Sequence, residues 1–175
     1  MCCSTVEVIV MAVNTRTNRK RKKHCFRSFL IIIAVFGLLG YFLVSYIGKF
    51  PEEMISLFSS NPEARAFVLD YPSHIDDADL GEIAPSELSG GIPPFQQWDK
   101  RWGYFPYGSG VLGITGCGPT CLSMVIVGLT GNADASPAAV ADFSSQNGCY
   151  VDGVGTSWDL MTVGAQSYGL SSVEV

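Results

Sequence analysis

The sequence predicts an α+β chain: one membrane-spanning helix, a segment of short helices, then a helical domain that runs into the first residues of a strand. Three observations lead there. Charge is divided unevenly along the chain. A long uncharged run follows the basic end. One cysteine stands where a glycine-bracketed turn feeds an apolar helix. With 47% hydrophobic and 15% charged residues, and 19 glycines and 9 prolines that do not repeat, the 175-residue chain is not disordered, collagen-like or a coiled coil.

The net charge of −5 conceals two opposite ends. Residues 1–27 hold seven Lys or Arg and one acid, Glu7, for +6, so the remainder carries −11. Residues 29–47 follow without a charge, bracketed by Arg27 and Lys49. At helical rise, the uncharged run 28–48 spans roughly 30 Å, the thickness of a bilayer core. A cleaved signal peptide has a shorter apolar core, about 7–15 residues, and a small-residue cleavage site. This run is longer and ends in Tyr46-Ile47-Gly48-Lys49-Phe50, so an uncleaved anchor is expected. The five basic residues 19–23 then hold residues 1–27 in the cytoplasm, and the body is extracellular. Beside an apolar helix, orientation explains that run better than a nucleic-acid patch, so no nucleic-acid partner is expected. Tyr41 and Tyr46 suit the outer headgroup level.

Residues 49–91 read as an acidic stalk. Residues 50–90 hold nine carboxylates and one basic residue, Arg65. Pro51-Glu52-Glu53 suits a first helical turn, and Met54, Ile55, Leu57 and Phe58 give it an apolar face. Asn61 caps a second short helix, which Asp70-Tyr71-Pro72 ends. From residue 73 to 91 the chain reads as a turn-rich linker. Asp76, Asp77 and Asp79 lack the spacing of a calcium loop, so neither metal nor cofactor is expected.

Residues 92–175 form the expected domain. In Gly116-Cys117-Gly118-Pro119-Thr120, the glycines permit a tight turn and Pro119 suits a first helical position. Leu122, Met124, Val125, Ile126 and Leu129 make the following helix apolar, with Gly128 and Gly131 closing it. Cys117 is thereby placed at a helix start, where free N–H groups and the dipole favour an anion and hence a thiolate nucleophile. A buried structural cysteine is the plain alternative. Cys121, one turn on, is expected to point into the core. A Cys121–Cys149 disulfide is one possibility, and three unpaired thiols the slightly favoured one. Ser136-Pro137 caps a helix over 138–146, Thr156-Ser157 another over 158–168, and residues 173–175 begin a strand.

The ordered pieces Gln97-Trp98-Asp99, Arg101-Trp102-Gly103, Tyr107-Gly108, the Gly-Cys-Gly-Pro-Thr motif, Ser136-Pro137, Gly155-Thr156-Ser157-Trp158 and Tyr168-Gly169-Leu170 resemble the bacteriocin-processing peptidase-like domains. These are a cysteine peptidase family within the papain-like superfamily. The segment before residue 92 also resembles the one preceding this domain in membrane-anchored Gram-positive members. The resemblance implies a papain-like fold, a Cys117 nucleophile, and a glutamine donating to the oxyanion, Gln97 by position with Gln96 as fallback. It implies a peptide or cell-wall peptide substrate.

The departure lies in the missing base. A papain-like site needs a histidine and an Asp or Asn to orient it, and in the family both follow the cysteine. Neither member of that pair is matched here. The two histidines, His24 and His74, both precede Cys117. Asp142, Asp152 and Asp159 read as surface or capping residues. The chain is therefore expected to be the N-terminal half of such a domain. Three functions compete: an extracytoplasmic cysteine peptidase, an inactive anchored module, and a peptidoglycan amidase or endopeptidase.

Overall fold

The computed structural model describes residues 28–75 and 77–173. They form two compact units, divided between Lys49 and Phe50. The first contains helix α1, Ser28–Ile47, whose side chains are exposed along its whole length. Twenty residues of mean hydropathy 2.5 in the best window make it long and apolar enough to cross a bilayer.

The second unit begins at Phe50, so the boundary drawn between 91 and 92 from composition is not a boundary of packing. Helix α2, Glu52–Ser60, has Pro51 at its N-cap and buries Met54. Asn61 Oδ1 accepts from Glu63 N at 3.2 Å and caps a 3₁₀ turn, Pro62–Ala64. That turn leads into α3, Arg65–Asp70. Phe67 and Val68 of α3 join Met54, Tyr104 and Val111 in one apolar cluster. The Phe67 ring stacks on Tyr104 at 4.6 Å and lies over Gly113, where any Cβ would collide with it.

The supposed linker wraps the rest of the unit. Ile83 is buried in the main core and Leu88 packs against it. Leu80 O accepts from the buried Ser136 Oγ at 2.6 Å. Glu87 binds Arg101 through both carboxylate oxygens, at 2.7 and 3.0 Å. Arg101 also reaches Asp99 Oδ2 at 2.7 Å and covers the Trp102 ring. At Glu87 the guanidinium holds the carboxyl below its usual range. At Asp99 burial is the largest single effect and pushes upward, but the Arg101 guanidinium and backbone N–H together outweigh it and the net direction is down. Trp102 is buried, and its indole N–H donates to Gln96 O.

Two hairpins, unforeseen in the sequence, interrupt the helices. Strand β1, Pro106–Tyr107, pairs antiparallel with β2, Gly110–Val111; β3, Tyr150–Val151, pairs likewise with β4, Gly155–Thr156. Between them lie α4, Leu112–Thr115, the long α5, Cys117–Thr130, and α6, Pro137–Gln146. Helix α5 is capped by Gly131 in the left-handed region, while Gly128 lies inside it. Ser136 Oγ caps α6 by accepting from Ala139 N at 3.1 Å. The helix expected over 158–168 is a π-helical segment, Leu160–Gly164, and a short α7, Ala165–Ser167. Val173 is exposed and belongs to no regular element, and residues 174–175 of the expected strand lie outside the described residues.

Candidate active site

Cys117 is the first residue of α5, with Gly116 as the cap. The leading N–H groups of a helix have no intrahelical acceptor. Pro119 offers none, and Thr120 N–H turns back to Gly116 O at 3.0 Å. Cys117 and Gly118 therefore supply the donors at this helix start. The Cys117 side chain is exposed and lines a groove of about 480 Å³.

The groove has two walls. One is the chain before Cys117, with Ser109, Ile114 and Thr115; the other is the β3–β4 hairpin with Thr156, Ser157 and Trp158. Gly118 allows the two to meet, since a Cβ there would lie 2.7 Å from the Thr156 side chain. Tyr107 ties them together. Its buried hydroxyl hydrogen-bonds Thr156 Oγ1 and Ser144 Oγ, each at 2.8 Å, and its carbonyl accepts from Thr115 Oγ1 at 3.0 Å. Burial raises the Tyr107 pKa, which keeps the hydroxyl protonated for this role. At the rim, Trp158 is 87% exposed and Val154 83%. Met161, from the π-helical segment, also lines the groove. Among the described residues, none that lines the groove is charged or a histidine.

The two candidate glutamines stand elsewhere. Gln97 is half-buried and its Nε2 donates to Gly113 O at 3.0 Å and Ile114 O at 3.3 Å. It holds the chain leading to Cys117 but is not itself a lining residue of the groove. Gln96 is exposed and is likewise outside the lining. His74 stacks on Tyr104 at 4.3 Å, and its Nδ1 lies 3.1 Å from Asp77 Oδ2. Through Tyr104 it adjoins the α2–α3 cluster, and it is not a lining residue of the groove. His24 lies outside the described residues.

All three described cysteines are free, so the Cys121–Cys149 bridge is not formed. Cys121 is exposed, against the expectation of a core position. The buried face of α5 is Pro119, Thr120, Leu122, Ser123, Ile126 and Val127; a residue four after an exposed Cys117 shares its outward face. Cys149 is buried, and burial pushes its thiol pKa up. Sequence reasoning missed Tyr107, Thr156 and Trp158 as parts of the site. The signal was present in Gly155-Thr156-Ser157-Trp158, a turn followed at once by a tryptophan that the structure leaves 87% exposed.

No family model, curated protein or solved structure matches the chain. Its functional reading rests on the chemistry of the groove and on the sequence motifs.

Proposed function

We propose that the chain is a membrane-anchored cysteine peptidase-like protein of papain-like kind, facing the extracytoplasmic side. In this reading, Cys117 sulfur attacks the carbonyl carbon of a peptide, or of a cell-wall peptide, lying in the groove. The C–N bond breaks, the amine departs with a proton, and the acyl group remains as a thioester that water releases. Cys117 N–H at the helix start supplies one donor for the oxyanion. The observation that carries the reading is an exposed thiol at a helix start that opens onto a groove large enough for a peptide segment. The orientation rests on the +6 and −11 charge division across α1.

A second reading is an anchored binding module without turnover. Among the described residues that line the groove there is no imidazole or carboxylate to act as a general base for the thiol proton, and this favours it.

One experiment separates the two. The full chain in detergent is incubated with a peptide activated as its p-nitrophenyl ester, and separately with the same sequence as a plain amide. An acyl adduct located on Cys117 by mass spectrometry, lost in Cys117→Ala and kept in Cys121→Ala, supports the nucleophile. Amide turnover supports the peptidase, and adduct without turnover supports the module. Equal acylation of Cys117 and Cys121, or none, overturns the nucleophile assignment.

A further inference from the structure

A second cavity adjoins the Cys117 groove at Thr115. About 200 Å³ in volume, it shares Ser109, Ile114 and Thr115 with the groove as lining residues, so the same wall faces both. The two differ in charge. Among the described residues the lining of the Cys117 compartment is neutral, whereas that of the second compartment includes one charged residue, Glu53, and also Tyr71. Glu53 is exposed, in the first turn of α2, and among the described residues no Lys or Arg forms a salt bridge with it. A carboxylate and an aromatic ring lining one small cavity attract a cation by Coulomb and cation–π forces together.

We infer that this second compartment seats a cationic group of the bound peptide, a Lys or Arg side chain or a terminal amine, while the uncharged part of the same peptide lies against Cys117. The inference rests on the reading of the groove as a peptide site. It assigns selectivity to Glu53: peptides with a basic residue on one side of the segment at Cys117 bind better than neutral or acidic ones. The contribution is electrostatic and solvent-accessible, so it is modest and falls with salt.

The test uses the full chain carrying Cys117→Ala, so that binding is read without turnover. Octapeptides of Ala, Ser and Gly bear a neutral dye and one Lys, moved through each position in turn. Matched series carry norleucine or Glu instead, and affinity is followed by fluorescence anisotropy. The expected result is one register at which Lys binds about fivefold tighter than norleucine at low salt. That preference shrinks to within about twofold in Glu53→Gln, and in about 1 M salt, where the screening length is about 3 Å. Thermal melts of Glu53→Gln serve as the folding control. A preference absent at every register, or one that survives Glu53→Gln, overturns the inference. Lys selectivity without any Cys117 acyl adduct supports the compartment while overturning the nucleophile. An adduct without Lys selectivity overturns the compartment alone, and no peptide binding overturns both.

Discussion

Gln97 donates from Nε2 to the carbonyl oxygen of Gly113 at 3.0 Å, four residues before Cys117. The same amide reaches Ile114 O at 3.3 Å, so both of its protons are directed at the backbone that delivers the thiol. Gln97→Ala leaves two carbonyls without their donor and is expected to cost about 1–3 kcal/mol. Thermal melting checks this, as a fall of several degrees. A residue serving purely as oxyanion donor behaves differently: turnover drops about 10²–10³-fold while the melting temperature holds.

Tyr107→Phe removes one hydroxyl and strands two others, Ser144 Oγ and Thr156 Oγ1. The expected loss is about 1–3 kcal/mol. A double-mutant cycle with Thr156→Val, read by urea denaturation, is expected to show positive coupling because the two residues share one bond. Strictly additive effects would mean that the hairpin is not held through this contact.

The three described cysteines, of six in the chain, differ in burial, and alkylation should rank them. Cys117 and Cys121 are exposed and should both react with iodoacetamide in the native protein. Cys149 is buried, its thiol pKa is raised, and it should react after denaturation only. Peptide mapping of native and urea-treated samples reads this directly. Native labelling of Cys149 at the rate of Cys121 would contradict the packing described.

Acid should weaken the fold through the Arg101 ion pairs. Glu87 and Asp99 both have pKa values lowered in the folded state by Arg101. Their stabilisation is therefore full above their ordinary values of 4.5 and 3.8, and is lost as pH falls through the lowered ones. Melting temperature should decline below about pH 4.5. In Arg101→Met the two carboxylates lose their shared cation and keep only backbone N–H donors, so the slope should flatten or reverse. An unchanged slope would place the acid sensitivity elsewhere.

Much of this arrangement was legible in particular residues. An uncharged run of bilayer length fixed α1, and Ser136-Pro137 marked the start of α6, because one group satisfies an orphan N–H and the other has none to satisfy. Gly116-Cys117-Gly118-Pro119 likewise located the start of α5. The direction of Cys121 was not legible, since Val125 and Leu129 make α5 apolar on its exposed side as well. The hairpins were hidden because two-residue strands are too short to show alternation. The wrapping of residues 79–90 was hidden for a different reason. Two apolar anchors, Ile83 and Leu88, are diluted by carboxylates that only become intelligible once Arg101 is seen between Glu87 and Asp99.

Phe67 lying over Gly113, with Tyr104 stacked on it, sets where the chain can be shortened. A version cut at residue 92, where composition invites the cut, would strip Met54, Phe67, Val68 and Ile83 from the two cores and leave Tyr104 and Val111 facing water. A soluble version made for crystallisation or assay has to begin at Phe50, with the acidic segment retained as part of the folding unit.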